Sequence, residues 1–158
     1  MEELVVYRDE LLSALQGVVE KLSETAASVS NKAWYLPPGQ DGNTPHYTLA
    51  HLCVLESQLF NHQLQRILSE DAPLLSIFDD VAWMASHYDP QEPAQRILAD
   101  LSELRDQELV LLRGLPSAGW SRSTRHPWWG IRTLQWWVEL QLDYSYQHLT
   151  RFIAFSAI

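Results

Sequence analysis

The chain has 158 residues, with 20 acidic and 11 basic side chains and a formal net charge of −9. This length suits one domain over residues 1–158, and 46% hydrophobic residues are enough for one continuous core. A surface this acidic does not replace the counterions of nucleic acid and is repelled by an anionic membrane. We therefore expect neither nucleic acid nor a membrane as a partner.

A single cysteine, Cys53, rules out a disulfide within the chain. The N-terminal residues are acidic and lack the basic and apolar regions of a signal peptide. The longest apolar runs are far shorter than a membrane span. These features predict a cytoplasmic protein.

Four stretches of the sequence have the apolar periodicity of long helices. The first covers residues 3–30, and the segment 36–43, rich in Pro and Gly, is predicted to be a loop. Thr44 followed by Pro45 is a favourable pair at the start of a helix. The second helix is therefore predicted over residues 44–69.

The middle of the chain contains a shorter helical piece and the third long helix. Residues 73–88 are predicted to form an irregular connection with a short helix near 80–85. The sequence DPQE at 89–92 resembles a capping box with Pro at the first helical position. It predicts a third helix that begins there and stops at Gly114.

A long loop over residues 117–132 and a cap at Thr133 are predicted before the fourth helix, which runs to the end of the sequence. No segment has the alternating pattern of a convincing strand. The sequence therefore predicts an all-α four-helix bundle with long loops before helices 2 and 4.

A candidate site follows from the helical spacing of three residues. Tyr144 and His148 are four apart on the last helix and so share one face, which His51 of the second helix can approach. Buried imidazole and phenol groups need hydrogen-bond partners or a metal ion. Imidazole is a common ligand of zinc, nickel and iron, and an open coordination position activates a bound water. Spacing alone leaves both a metal site and a polar cluster open.

Four segments, in this order and at these separations, resemble the DinB-like superfamily of metalloprotein-like four-helix bundles. They are TPHYTLAHLCVLE (44–56), FDDVAWMASHYD (78–89), RHPWWGIRT (125–133) and YSYQHLTRF (144–152). The resemblance covers nearly the whole chain. It implies a metal-binding histidine on the second helix and an H-x-x-x-H pair on the last.

Carried over position by position, the resemblance implies His51 and His148 as metal ligands and places Tyr144 where the third histidine stands. Three alternatives follow for Tyr144. It ligates ferric iron as a phenolate, or it bonds to a neighbour while two histidines hold a metal weakly, or the site is lost to a polar cluster. A phenol has a pKa of about 10, so ligation at neutral pH requires the loss of a tightly held proton.

Three further residues are expected to support this site. Glu56 matches the acid that the family carries in the second helix, but an offset of five places it roughly 140° from His51. We expect it to support a ligand or to pair with an arginine. Gln141 is expected to join a hydrogen-bond network with His148, and His126 either covers the end of the bundle or lines the rim of a pocket.

Two other histidines, His46 and His87, lie near predicted helix ends and are expected to be surface or capping residues. The neighbouring Trp136 and Trp137 face different directions on a helix, so at least one is expected to face solvent or a partner chain. The resemblance also implies a homodimer and a role in stress responses.

Two functions agree with the resemblance. One is a small-molecule-binding protein of the DinB type with a degenerate metal site, which Tyr144 favours. The other is a metal-dependent thiol transferase or hydrolase in which His51 and His148 hold a divalent zinc, nickel or iron ion. The resemblance implies a low-molecular-weight thiol as its cofactor, and a metal would lower the pKa of the bound thiol and make it nucleophilic.

Overall fold

The computed structural model describes residues 1–36 and 43–156. Within these ranges four long helical segments form a bundle, which confirms the predicted all-α fold. The helices are α1 (Glu2–Ala26), α2 (Pro45–Val54), α3 (Asn61–Ser69), α4 (Asp80–His87), α5 (Ala94–Arg113), α6 (Ser117–Trp120) and α7 (Leu134–Ser156). A hairpin of two short strands, β1 (Ser123–His126) and β2 (Gly130–Thr133), precedes α7.

The predicted second helix is one continuous helical segment made of α2, a π turn over Leu55–Phe60, and α3. Thr44 caps it as predicted, because its Oγ1 accepts a 3.0 Å hydrogen bond from the backbone N–H of Tyr47. A π turn holds an extra residue and so rotates the face of the helix that follows it. Glu56 lies within this turn and is fully buried.

The helices pack so that α1 and α2 each contact both α5 and α7. Buried side chains of α1 recur every three or four residues and face the bundle interior: Leu11, Leu15, Val18 and Leu22. One apolar cluster contains Phe152 and Leu101, and a second contains Trp137 and Leu109. Arg105, between the two leucines on α5, is also buried, so a polar layer separates the apolar halves.

The segment predicted as a long loop, residues 117–132, instead contains α6 and the antiparallel hairpin. Gly130 has a φ of +67° at its turn, a conformation that favours glycine. Arg125 anchors the hairpin, because its N–H donates to the Pro73 carbonyl at 2.9 Å and its carbonyl accepts from the Leu75 N–H at 2.8 Å. These partners lie far away in sequence, so local patterning did not reveal the strands.

The predicted start of the third helix was also wrong. The helix α5 begins at Ala94, after Pro93, whereas residues 89–92 form a turn. The carboxylate of Asp89 accepts a 2.9 Å hydrogen bond from the N–H of Gln91, which is the bonding of an Asx turn and not of a capping box.

Other boundaries differ less. The first helix ends at Ala26, before its predicted end at residue 30, and the short helix predicted near 80–85 is α4. Thr133 caps α7 through a 3.2 Å bond from the Trp136 N–H. The predicted loop at 36–43 lies mostly outside the described residues. In the described ranges, no helix combines the length and apolar character needed to cross a membrane.

Candidate functional site

The packing of α2 against α7 brings two of the three predicted ligands together. His148 Nε2 lies 3.0 Å from His51 Nδ1, and the two rings meet edge to face with centroids 4.8 Å apart. Both rings are largely shielded from solvent. The helical register inferred from the sequence therefore places these two histidines in direct contact.

His148 is held as a neutral ring with a defined tautomer. Its Nδ1 lies 2.8 Å from the carbonyl oxygen of Tyr144, one helical turn earlier. Because a carbonyl only accepts, Nδ1 carries the proton and Nε2 presents its lone pair to His51. Burial, with a smaller effect of the nearby His51, lowers the pKa of His148 to about 4. The ring is therefore uncharged at neutral pH.

The other nitrogen of His51 contacts a residue that sequence reasoning missed, Asp80 at the start of α4. Asp80 Oδ2 lies 2.6 Å from His51 Nε2. The lone pair of His148 and the carboxylate of Asp80 are both acceptors, so the geometry places a donor N–H at each ring nitrogen of His51. The side chains of His51 and Asp80 are 19% and 34% exposed, so solvent and small solutes reach this contact.

The side chain of Tyr144 packs against apolar residues and is not placed as a metal ligand. Its ring lies 5.7 Å from that of Phe60 and joins the apolar cluster around Leu55 and Leu59. Burial raises the pKa of Tyr144, and the charges of Asp80 and Asp143 raise it further. The phenol is therefore neutral at physiological pH and is a poor metal ligand.

These donors do not fit a three-ligand metal centre. Among the described residues, no group of three or more His, Cys, Asp or Glu side chains is arranged to hold a metal ion. The cause is geometric: Asp80 bonds to the far nitrogen of His51, and so the carboxylate and the two imidazoles form a chain instead of converging. A catalytic zinc site normally has three protein ligands, whereas two imidazole nitrogens face each other here.

A buried polar layer lies next to the histidines along the helices. Glu56 makes a bidentate ion pair with Arg105, with N–O distances of 2.7 and 2.9 Å. Arg105 also donates to the carbonyl of Leu15 on α1 at 2.7 Å and to Ser145 Oγ on α7 at 3.0 Å. The sequence-based expectation that Glu56 pairs with an arginine agrees with this geometry.

Gln141 also belongs to this layer. We had expected it to join a network with His148, and that expectation was wrong. Its amide donates to Glu56 at 2.7 Å and to Glu108 at 3.3 Å. Burial and the hydrogen bond and charge of Glu56 raise the pKa of Glu108 to about 10. Although burial opposes ionisation, Arg105 and the hydrogen bonds around Glu56 lower the pKa of Glu56. Glu108 is thus protonated and donates to an ionised Glu56.

His126 lies too far from the histidine pair to support it. Its ring stacks on that of Trp129 with centroids 4.5 Å apart and lies 5.7 Å from that of Trp137. Trp137 precedes His148 by three turns of α7, which is about 16 Å along the helix. Its Nδ1 accepts from the N–H groups of Trp128 and Trp129. Of the two alternatives for His126, these contacts favour a residue that covers the end of the bundle.

The expectation for His46 was also wrong, whereas His87 is exposed as expected. His46 is fully buried, with Nδ1 2.7 Å from the Tyr88 hydroxyl and Nε2 2.7 Å from the Glu92 carbonyl. Both partners come from the segment between α4 and α5, so the sequence around His46 carries no local sign of its burial.

The polar layer yields a prediction from two isosteric substitutions. Glu56→Gln is expected to lower the free energy of unfolding by about 3–5 kcal/mol, because it leaves the buried Arg105 charge unpaired. Glu108→Gln keeps a neutral hydrogen-bonding group in the folded protein and removes the cost of protonating Glu108 on folding, so no loss of stability is expected at neutral pH. Urea unfolding at neutral pH measures both values, and equal losses would contradict the assigned protonation states.

The same pair predicts a pH dependence. Because the pKa of Glu108 is raised on folding, its contribution to stability is fully present below its unfolded pKa and is lost as pH rises toward about 10. The Glu108→Gln variant lacks this loss. The difference in the free energy of unfolding between Glu108→Gln and the unmodified chain should therefore grow in favour of the variant between about pH 5 and about pH 9.

Comparisons with known proteins agree with this architecture. The structure is similar to that of YfiT from Bacillus subtilis, which is described as a probable metal-dependent hydrolase with an unusual four-helix bundle topology. The match has a TM-score of 0.85 and 23% sequence identity, and it covers 95% of this chain and 86% of that chain. No curated protein matches the sequence. The family model of the DinB superfamily matches residues 7–150. This chain therefore belongs to the DinB superfamily.

Proposed function

We propose that this chain is a DinB-superfamily protein that binds a small molecule beside a hydrogen-bonded histidine pair. In this proposal a hydrogen-bond chain of Asp80, His51 and His148 replaces the three-ligand metal centre that the resemblance implies. The observation that carries it is the bonding of His51 at both ring nitrogens. Every polar group of the pair then has a partner without an ion.

Asp80 is the residue through which we expect a ligand to bind. Oδ2 bonds to His51, and Oδ1 has no hydrogen-bond partner among the described residues. A ligand that donates a hydrogen bond from a hydroxyl, amine or thiol group suits this oxygen. Tyr47 borders the same site, with its ring 6.1 Å from that of His51, and burial followed by the charge of Asp80 raises its pKa. The site thus combines an aromatic side chain with a partly exposed carboxylate.

The hydrogen-bond chain also suits proton transfer. The carboxylate of Asp80 accepts from one ring nitrogen of His51, and the neutral His148 accepts from the other. A proton that a bound ligand gives to Asp80 is therefore close to the imidazoles of His51 and His148, which exchange protons. General acid–base chemistry on a bound small molecule is compatible with this arrangement.

A second candidate function, a metal-dependent hydrolase or thiol transferase, has one observation in its favour. The nitrogens of His51 and His148 that face each other are 3.0 Å apart, and each ring bonds to an oxygen through its other nitrogen. Metal-binding histidines commonly have such oxygen partners. YfiT, which shares the fold, is described as a probable metal-dependent hydrolase. This candidate requires a zinc, nickel or iron ion and at least one more ligand.

Metal content separates the two candidates. We expect the protein purified without a histidine tag to contain well under one equivalent of zinc, nickel or iron, and Tyr144→His to raise the content toward about one equivalent. Tyr146→His is the matched control, because Tyr146 is exposed on the same helix and its substitution should add no metal. About one equivalent in the unmodified protein would favour the metalloenzyme instead.

Ligand binding tests the role of Asp80. Low-molecular-weight thiols and amines are expected to raise the melting temperature of the unmodified protein, and Asp80→Asn should abolish the shift because a neutral amide accepts weakly. Asp143→Asn removes an equal charge from an exposed position on α7 and should keep the shift. A shift that persists in Asp80→Asn would contradict the proposed binding site.

The homodimer and the stress role implied by the resemblance stay predictions, as does the cytoplasmic location inferred from the sequence. Trp137 is buried while Trp136 is partly exposed, as their positions on one helix require. Trp128 and Ile131, near the hairpin turn, are each 70% exposed and form an apolar surface available to a second copy. The mass of the protein in solution tests the dimer, since one chain weighs 18.2 kDa.

A further inference from the structure

A polar cavity lies at the other end of the bundle from the histidines. It has a volume of about 110 Å³ and is lined by residues from the start of α1 and the end of α5, together with Ser117 and Trp120 of α6. Arg8 from α1 bonds to Gln135 on α7, which is more than three turns before His148, or about 20 Å along the helix. The cavity is therefore separate from the site described above.

Arg8 is buried in the wall of this cavity, with only 7% of its surface exposed. Its Nε donates to Gln135 at 2.9 Å, and its guanidinium lies 5.4 Å from the centroid of the Trp120 ring. In the described part of the chain, no carboxylate lies within ion-pair distance of Arg8. Arg105, buried to a similar degree, has Glu56 as a bidentate partner.

An arginine buried in this way needs acceptors for its remaining donors. The two Nη groups carry four N–H bonds, and neither Nη atom is among the fully enclosed unpartnered atoms of the described structure, so these bonds reach the open cavity. The described structure gives these Nη groups no protein acceptor. A protein with 20 acidic side chains could supply a carboxylate for Arg8, yet this arginine faces a cavity instead.

Other residues make the cavity positive. Arg113 brings a second guanidinium, which bonds through Nη2 to Gln16 at 2.9 Å and has no ion-pair partner among the described residues. Ser117 adds a hydroxyl group, and Asp9 adds one negative charge. Two positive charges and one negative charge leave a net charge of +1 in a chain whose total is −9.

We propose that this cavity binds a small oxyanion, a carboxylate or phosphate group, between the Nη groups of Arg8 and the guanidinium of Arg113. Guanidinium groups bind such oxygens through paired hydrogen bonds, and the stacking of Arg8 on Trp120 fixes its plane in advance. This inference does not depend on the function proposed for His51. It assigns a second binding site to the opposite end of the bundle.

Calorimetric titration of the full chain with sodium phosphate and with sodium acetate, each at an ionic strength matched with sodium chloride, tests the proposal. We expect saturable binding of at least one of the two anions, and affinity at least about tenfold weaker in Arg8→Gln. The matched control is Arg132→Gln, which removes an exposed guanidinium that lies 5.1 Å from the Trp136 ring. This variant should bind as the unmodified chain does.

The outcomes separate the sources of the oxyanion. Binding of phosphate alone identifies a phosphate-bearing ligand, whereas binding of acetate as well extends the site to carboxylates. No binding of either anion, or equal affinity in Arg8→Gln, would overturn the proposal and mean that the cavity holds only water. If Arg8→Gln does not fold, Arg113→Gln replaces it, because Arg113 is exposed and its loss should also weaken binding.

Discussion

The ion pair between Glu56 and Arg105 is the interaction on which the rest of the bundle depends. It lies between the two apolar halves and connects all four helical segments, through the Leu15 carbonyl on α1, the π turn, α5 and Ser145 on α7. A buried charge pair of this kind tolerates little displacement, since a shift of one helix leaves a charge without its partner. The layer therefore fixes the register of the helices.

The geometry of the histidine site depends on this polar layer. His51 precedes Glu56 on the same helical segment, and His148 follows Ser145 by one turn of α7. When the ion pair fixes these two helices, the 3.0 Å contact between the imidazoles follows. The short helix α4 then adds Asp80, which extends the pair into a hydrogen-bond chain that ends on a carboxyl group. A metal centre of three converging ligands would need a different residue at position 144.

Much of the fold was readable from the sequence, because helix starts and apolar periodicity are local signals. The Thr44 cap and the approach of His51 to His148 depend on such signals. The roles of Asp80 and Gln141 do not, because their partners come from distant segments and their side-chain directions depend on packing. The hairpin was missed for the same reason, since its strands are four residues long and are anchored by remote backbone hydrogen bonds.

The most direct test of the account is the protonation of the two histidines, measured by long-range ¹H–¹⁵N NMR of the imidazole nitrogens near neutral pH. The account predicts that His148 carries a proton on Nδ1 only and that His51 carries protons on both nitrogens. It also predicts that a metal chelator changes neither spectrum. An unprotonated Nδ1 on His51 that becomes protonated when a chelator is added would contradict it, because an ion would then occupy the place assigned to the proton.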